Sequence, residues 1–143
     1  MTTPQLRKRL LAILIPAIFI GVAYNVYENQ DRPVPEAAKR AMNPLLPSPA
    51  ALDAARAVYR DKCTNCHGDS GKGDGSEAAS YYPAPADFTD QPQMKAMTDG
   101  ELFYRITNGR KPMPSFKRKL TDEQRWQLVL LVRSFSGAGV PLH

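Results

Sequence analysis

The segment Cys63-Thr64-Asn65-Cys66-His67 holds both cysteines of the 143-residue sequence and one of its two histidines. Few chemistries use two thiols and an imidazole placed so close together. Structural zinc takes four Cys or His ligands in a tetrahedron. The whole supply here is Cys63, Cys66, His67 and the distant His143, and adjacent Cys66 and His67 would have to share one small tetrahedron. A thioredoxin-like redox pair belongs with alternating strands and helices, and no clear alternating strand is present. A plain disulfide between Cys63 and Cys66 leaves His67 without a role.

The remaining chemistry uses all three residues. Cys-x-x-Cys-His is the attachment signature of c-type haem. On one helical turn, thiols three residues apart reach the two vinyl groups along one edge of a porphyrin, and the next imidazole lies under the iron. Such a site calls for a second axial ligand. Downstream, "NGRKPMPSF" places Met113 between Pro112 and Pro114, in a basic loop where a methionine is poorly placed to be core. Methionine ordinarily fills gaps in cores. A His67/Met113 pair raises reduction potential. Met94 and Met97, in a polar stretch before Thr98, are the competing methionines, and His143 is the competing imidazole.

Elements that position these residues are legible from caps and breakers. Ser48 and Pro49 read as N-cap and first position of a helix over "AALDAARAVYRDKC". "TDGE" and "TDEQ" read as capping boxes at Thr98 and Thr121. The first opens "ELFYRITN", which Gly109 ends, and the second opens "RWQLVLLVRSFSG" with one broad apolar face through Trp126, Val129 and Leu130. Between the first two helices lies a loop rich in Gly, Pro and Asp. Residues 50–143 therefore read as one all-helical domain, within the size of a single small core.

The first 27 residues differ. Arg7, Lys8 and Arg9 precede the uncharged run Leu10–Val26. At about 1.5 Å per residue it spans roughly 25 Å, a little short of the about 30 Å hydrocarbon core. Leu6 and Tyr27 can extend it, and Tyr24 and Tyr27 suit an interfacial belt. An uncleaved signal anchor over 1–27 is favoured over a cleaved signal peptide, for which Gly21-Val22-Ala23 is a weak site. Either way the basic flank stays in the cytoplasm and the rest is exported. Residues 28–49, with Pro33, Pro35, Pro44, Pro47 and Pro49, read as a stiff tether. "PEAAKRAMN" within it is a short helix or plain linker.

A net charge of +5 without an aromatic-interleaved basic patch does not argue for nucleic acid. The charge is unevenly placed. Arg105, Arg110, Lys111, Lys117, Arg118 and Lys119 form a run without an acid around Met113, whereas residues 69–101 carry seven acids against Lys72 and Lys95.

Taken together, "CTNCHGDSGKGDG", "PAPADF", "DGELFYRITNGRKPMPSF" and "LTDEQRWQLVLLVRSF" resemble the single-haem class I c-type cytochromes, here in membrane-anchored form. The resemblance covers about Ala50 to Ser136. It implies an all-α class I cytochrome c fold around one haem c, bound covalently through Cys63 and Cys66 and ligated by His67 and Met113. It implies that the first and last helices cross at Ala55, where glycine is usual, and Tyr59, facing Trp126 and Leu130. It also implies that His67 donates its second ring nitrogen to a proline carbonyl, Pro83 or Pro85. The implied function is single-electron transfer between membrane-bound donor and acceptor complexes, with no catalytic residues and no small-molecule substrate. The basic run suits an acidic docking face. The expected location is the cytoplasmic membrane, with the haem domain on the periplasmic side. The alternatives are a fixed haem-relay subunit of a larger complex and a haem enzyme with an open iron site.

Overall fold

In the computed structural model, which describes residues 33–137 and, before them, Ala12, Ile15, Pro16, Phe19 and Ile20, helices begin where the caps stand. The Ser48 hydroxyl accepts from the Ala51 amide at 3.1 Å and opens α2, Pro49–Lys62. It follows a short α1, Glu36–Lys39, and is followed by a single turn, α3, Thr64–His67. The Thr98 hydroxyl accepts from the Glu101 amide at 3.1 Å to open α5, Asp99–Asn108. Thr121 and Gln124 cap each other reciprocally at the start of α6, Asp122–Phe135. At Thr98 the second arm of the box is missing, because the Glu101 carboxylate turns instead to Arg105 Nη2 at 2.8 Å.

One helix lies where a loop was expected. Asp90 accepts from the Gln93 amide at 3.1 Å and caps α4, Gln91–Ala96. The stretch around Met94 is therefore not a polar lead-in to Thr98. Met94 is fully buried in a cluster with Leu102, Val129 and Val132, with Met97 packed against it. The polar letters hid a single apolar side chain aimed inward.

α2 and α6 cross at the centre. Leu52, Ala55 and Tyr59 share a buried cluster with Leu128, Leu130 and Leu131, and Phe116 and Leu120 close it. Leu130 is thus on the expected side, but Trp126 is not. Its indole stacks on Phe103 of α5 at 4.0 Å, and the aromatic that meets Tyr59 is Phe135, at 5.3 Å between ring centroids. The reason is the 3.6-residue period. Leu128, Leu131 and Phe135 form the stripe toward α2, while Trp126, Val129 and Val132 form the next stripe, toward α4 and α5.

Two arginines interrupt the apolar face of α6, and both are satisfied. Arg133 donates from Nε to Asp99 at 2.8 Å, from Nη2 to the Met97 carbonyl at 2.6 Å and from Nη1 to the Met94 carbonyl, tying α6 to the α4–α5 corner. Arg125, 4% exposed, donates to Thr107 Oγ1 at 2.7 Å, pairs with Asp122 and lies 5.0 Å from the Phe103 ring.

The tether expectation needs correcting. The described part of 28–49 does not stand off in water. Val34 is buried, Leu45 packs on the α2–α6 cluster, Asn43 Nδ2 donates to the Trp126 carbonyl at 3.1 Å, and α1 packs on α5. Prolines stiffen the segment, yet Val34 and Leu45 find neighbours, while Met42 and Leu46 stay exposed. The compact unit begins at Val34 rather than residue 50.

Among the described residues there is no strand, only an isolated bridge between Arg110 and Met113. Within the unit Met1–Pro33, the described residues Ala12, Ile15, Pro16, Phe19 and Ile20 are helical, with Ile15, Phe19 and Ile20 exposed. No helix among the described residues is long and apolar enough to cross a membrane. The rest of the Leu10–Val26 run, and His143, lie outside the described residues.

Met94→Ala should lower the unfolding free energy by about 2–5 kcal/mol, since it empties a fully buried site. Denaturant unfolding checks this, and a loss under about 0.5 kcal/mol, typical of a surface site, contradicts the burial.

Candidate functional site

The turn that carries the chemistry is held at both ends. Cys63 terminates α2, its amide donating to the Tyr59 carbonyl at 2.8 Å, and its own carbonyl accepts from Cys66 at 3.1 Å and His67 at 2.9 Å. Both thiols and the imidazole therefore sit on one backbone turn. The thiols are free. Burial pushes the Cys63 thiol up to about 12, with the neighbouring Cys66 and Asp61 adding to the effect, and burial also raises Cys66. Buried Tyr59 donates its hydroxyl to the Gly68 carbonyl at 2.9 Å, fixing the exit of the turn.

His67 is constrained from its far side. Its Nδ1 lies 3.2 Å from the Ala86 carbonyl oxygen, and its ring stacks on Phe88 at 4.5 Å. Burial lowers its pKa, with the Ala86 hydrogen bond opposing, so the imidazole is held toward its neutral form. The tautomer that donates from Nδ1 to Ala86 leaves the Nε2 lone pair for a ligand. The carbonyl partner is therefore Ala86, not Pro83 or Pro85. The Pro85 oxygen faces Gly73 instead, where a Cβ would come within 2.4 Å of it. Gly73 adopts φ +74, donates its amide to the His67 carbonyl at 2.9 Å, and so brings the 85–88 strip against the histidine. Another residue there would meet both the close contact and the left-handed strain. Pro83 and Pro85 keep a place as walls of the adjoining cleft.

That cleft has a cavity volume of about 190 Å³ and opens to solvent. Cys63, Cys66, His67 and Met113 all line it, while Met94 and Met97 do not. The Met113 loop is pinned back to α5. The Arg110 amide donates to the Met113 carbonyl at 3.0 Å, the Phe116 amide to Ile106 at 3.2 Å, and the Ser115 hydroxyl to Thr107 at 2.7 Å.

Charge around the cleft is finer than the basic run suggested. Arg105, Arg110 and Lys111 line it, together with Lys62, whereas Lys117, Arg118 and Lys119 do not. Lys62 is a residue that sequence reasoning did not single out for the site, and Arg105 was named only as part of the basic run. The spacing of Glu101 and Arg105, four apart on a helix, was the available signal for their pairing. Nothing in the sequence signalled that Arg105 Nε is buried with no hydrogen-bond partner among the described residues. An orphaned buried donor beside a cleft is a vacant acceptor position for a bound anionic group.

Comparison with known proteins decides what kind of cleft this is. Residues 50–132, more than half of the chain, match the family model described as cytochrome c oxidase, cbb3-type, subunit III. The chain belongs to that family. A solved chain of the Kuenenia stuttgartiensis reducing HAO-like protein complex is similar, at 30% identity and a TM-score of 0.58 over 76% of this chain. The present chain spans about half of that one, 53% of its length. No curated protein matches. The chain is thus a single-haem c-type cytochrome, a haem protein of electron transfer. The cleft fits haem c in its own chemistry: two free thiols and an imidazole on one turn, a methionine on the same cleft, and an unpartnered guanidinium nitrogen suited to a haem carboxylate.

The denatured chain should retain its haem through acid-acetone extraction and carry the added mass of one haem, and Cys63→Ala with Cys66→Ala should abolish this. Extractable haem, or a Cys63–Cys66 disulfide in the mature protein, contradicts the covalent assignment.

Proposed function

We propose that the chain is a membrane-anchored electron carrier, with haem c linked to Cys63 and Cys66 and its iron held between His67 and Met113. The observation that carries this is that the Cys63–His67 turn and the Met113 loop line one cleft. When bound, the haem supplies a one-electron couple. His67 and Met113 would hold the iron between them and would leave it no site open to oxygen or substrate, which favours electron transfer over catalysis. His/Met ligation sets a raised potential. Ala86 fixes the histidine ring and tunes its basicity, and Arg105 Nε takes a haem carboxylate.

The anchor reading rests on Arg7, Lys8 and Arg9 before the Leu10–Val26 run. The exposed apolar side chains of Ile15, Phe19 and Ile20 agree with it. It puts residues 34–143 on the extracytoplasmic face of the cytoplasmic membrane, where donor and acceptor complexes are close at hand. The exposed cations at the cleft, Lys62, Arg110 and Lys111, suit an acidic patch on those partners. Electron transfer needs close approach at the haem edge and rapid release, which favours steering charge over a large apolar contact.

A second reading, a fixed relay subunit of a larger complex, is favoured by two observations. The family is described as an oxidase subunit, and the similar solved chain comes from a protein complex. Rapid-mixing kinetics separate the readings. For a mobile carrier, the bimolecular rate with an acidic redox partner falls as salt rises, because screening is strong beyond about 8 Å at physiological ionic strength. Lys62→Glu with Lys111→Glu should slow it about tenfold at low salt while leaving the haem spectrum unchanged. A rate insensitive to salt and to both reversals contradicts the mobile carrier and supports the fixed subunit.

A further inference from the structure

α1 sits so close to the first turn of α5 that Gly100 has no room for a side chain. A Cβ there would stand 2.0 Å from the Ala38 carbonyl oxygen and 2.7 Å from that of Ala41. Asn43 fastens the same segment to the Trp126 carbonyl, and Val34 buries its side chain. The residue after Gly100 is Glu101, whose side chain is only 14% exposed, although glutamates ordinarily stay in water. Its carboxylate accepts from Arg105 Nη2 at 2.8 Å. Lys39 of α1 senses that carboxylate too: the hydrogen bond and charge of Glu36 raise its pKa most, and the charge of Glu101 adds to them. The Nε of the same guanidinium is buried with no hydrogen-bond partner among the described residues, and Arg105 lines the cleft.

We infer that residues 34–47 are a brace for the cofactor site: seated on Gly100, they keep Glu101 out of water and so hold Arg105 in the posture that offers Nε to a haem carboxylate. The inference rests on the haem reading above. Gly100 and Glu101 do not line the cleft and act as positioning residues. An Arg–Glu pair open to water is weak and geometrically loose; here the Glu101 partner is covered, while the Arg105 side chain is 38% exposed. The brace is contiguous in sequence with the N-terminal segment, so whatever lifts it also changes the surroundings of the haem.

Gly100→Ala is a selective probe. Alanine is the better helix former, so α5 gains while α1 loses its seat. The full-length, haem-loaded protein is compared as wild type, Gly100→Ala, Arg105→Gln and the double variant. Three properties are read: midpoint potential, proteolytic nicking within 34–47, and the near-infrared band of methionine sulfur on oxidised iron. Arg105→Gln should lower the potential in wild type, because a cation beside the haem is lost. In Gly100→Ala the segment should be nicked about tenfold faster, and the Arg105→Gln shift should fall to about half or less, with the methionine band retained. Equal shifts in both backgrounds with a lifted segment overturn the brace. So does a segment that stays protected in Gly100→Ala, since Gly100 is then not its seat. A potential unmoved by Arg105→Gln removes Arg105 from the site and the brace with it. Wild type without covalent haem overturns the functional reading itself, and the brace only as its dependant.

Discussion

In the proposed haem attachment, two thiols and one imidazole would meet a single rigid ring, so the backbone turn that carries them would have to stay fixed. Thr64–His67 is too short to hold itself, since a four-residue helix does not persist in water. Its rigidity is borrowed. α2 fixes Cys63 from the N-terminal side through the Tyr59 carbonyl, and α2 is fixed in turn by its crossing with α6. Beyond the turn, the Gly68–Gly75 loop folds back. Gly73 donates to the His67 carbonyl and Gly75 to that of Cys66, at 2.9 and 3.2 Å. The imidazole is gripped separately, by the Ala86 carbonyl and the face of Phe88. Phe88 stacks toward Phe135, which meets Tyr59, so one aromatic row connects the histidine to the helix crossing.

The same economy governs the second half of the cleft. The Met113 loop has no regular structure of its own and hangs from the end of α5 by hydrogen bonds to Ile106 and Thr107. α5 is positioned by the two arginines of α6. Arg125 reaches Thr107, and Arg133 reaches Asp99 and the carbonyls around Met94 and Met97. Buried charges of this kind are tolerated because every donor finds an acceptor. Among the described residues, Arg105 Nε is the buried side-chain atom without a partner, and Arg105 lines the cleft.

Local signals carried far in the sequence and tertiary ones did not. Ser48, Thr98, Thr121 and Gly109 mark helix ends by chemistry that acts within four residues, and each marks one in the structure. The Cys63–His67 cluster likewise declares itself by spacing. Ala86 was missed because the choice among neighbouring carbonyls depends on how the Gly73 loop seats Pro85. Trp126 was assigned to the wrong partner because adjacent stripes on a helix differ by one residue in register. The burial of Met94 and the docking of 34–47 were hidden by polar and proline-rich composition, which reports average solvation and not the few apolar side chains that turn inward.

The central claim is that His67 and Met113 close the two axial positions of one covalent haem. Near-infrared absorption of the oxidised protein tests it directly, because a methionine sulfur on ferric haem gives a weak band there. The account predicts that band in wild type and in Met94→Ala, and its loss in Met113→Ala together with a lower reduction potential. A band that survives in Met113→Ala, or is absent from wild type, contradicts it.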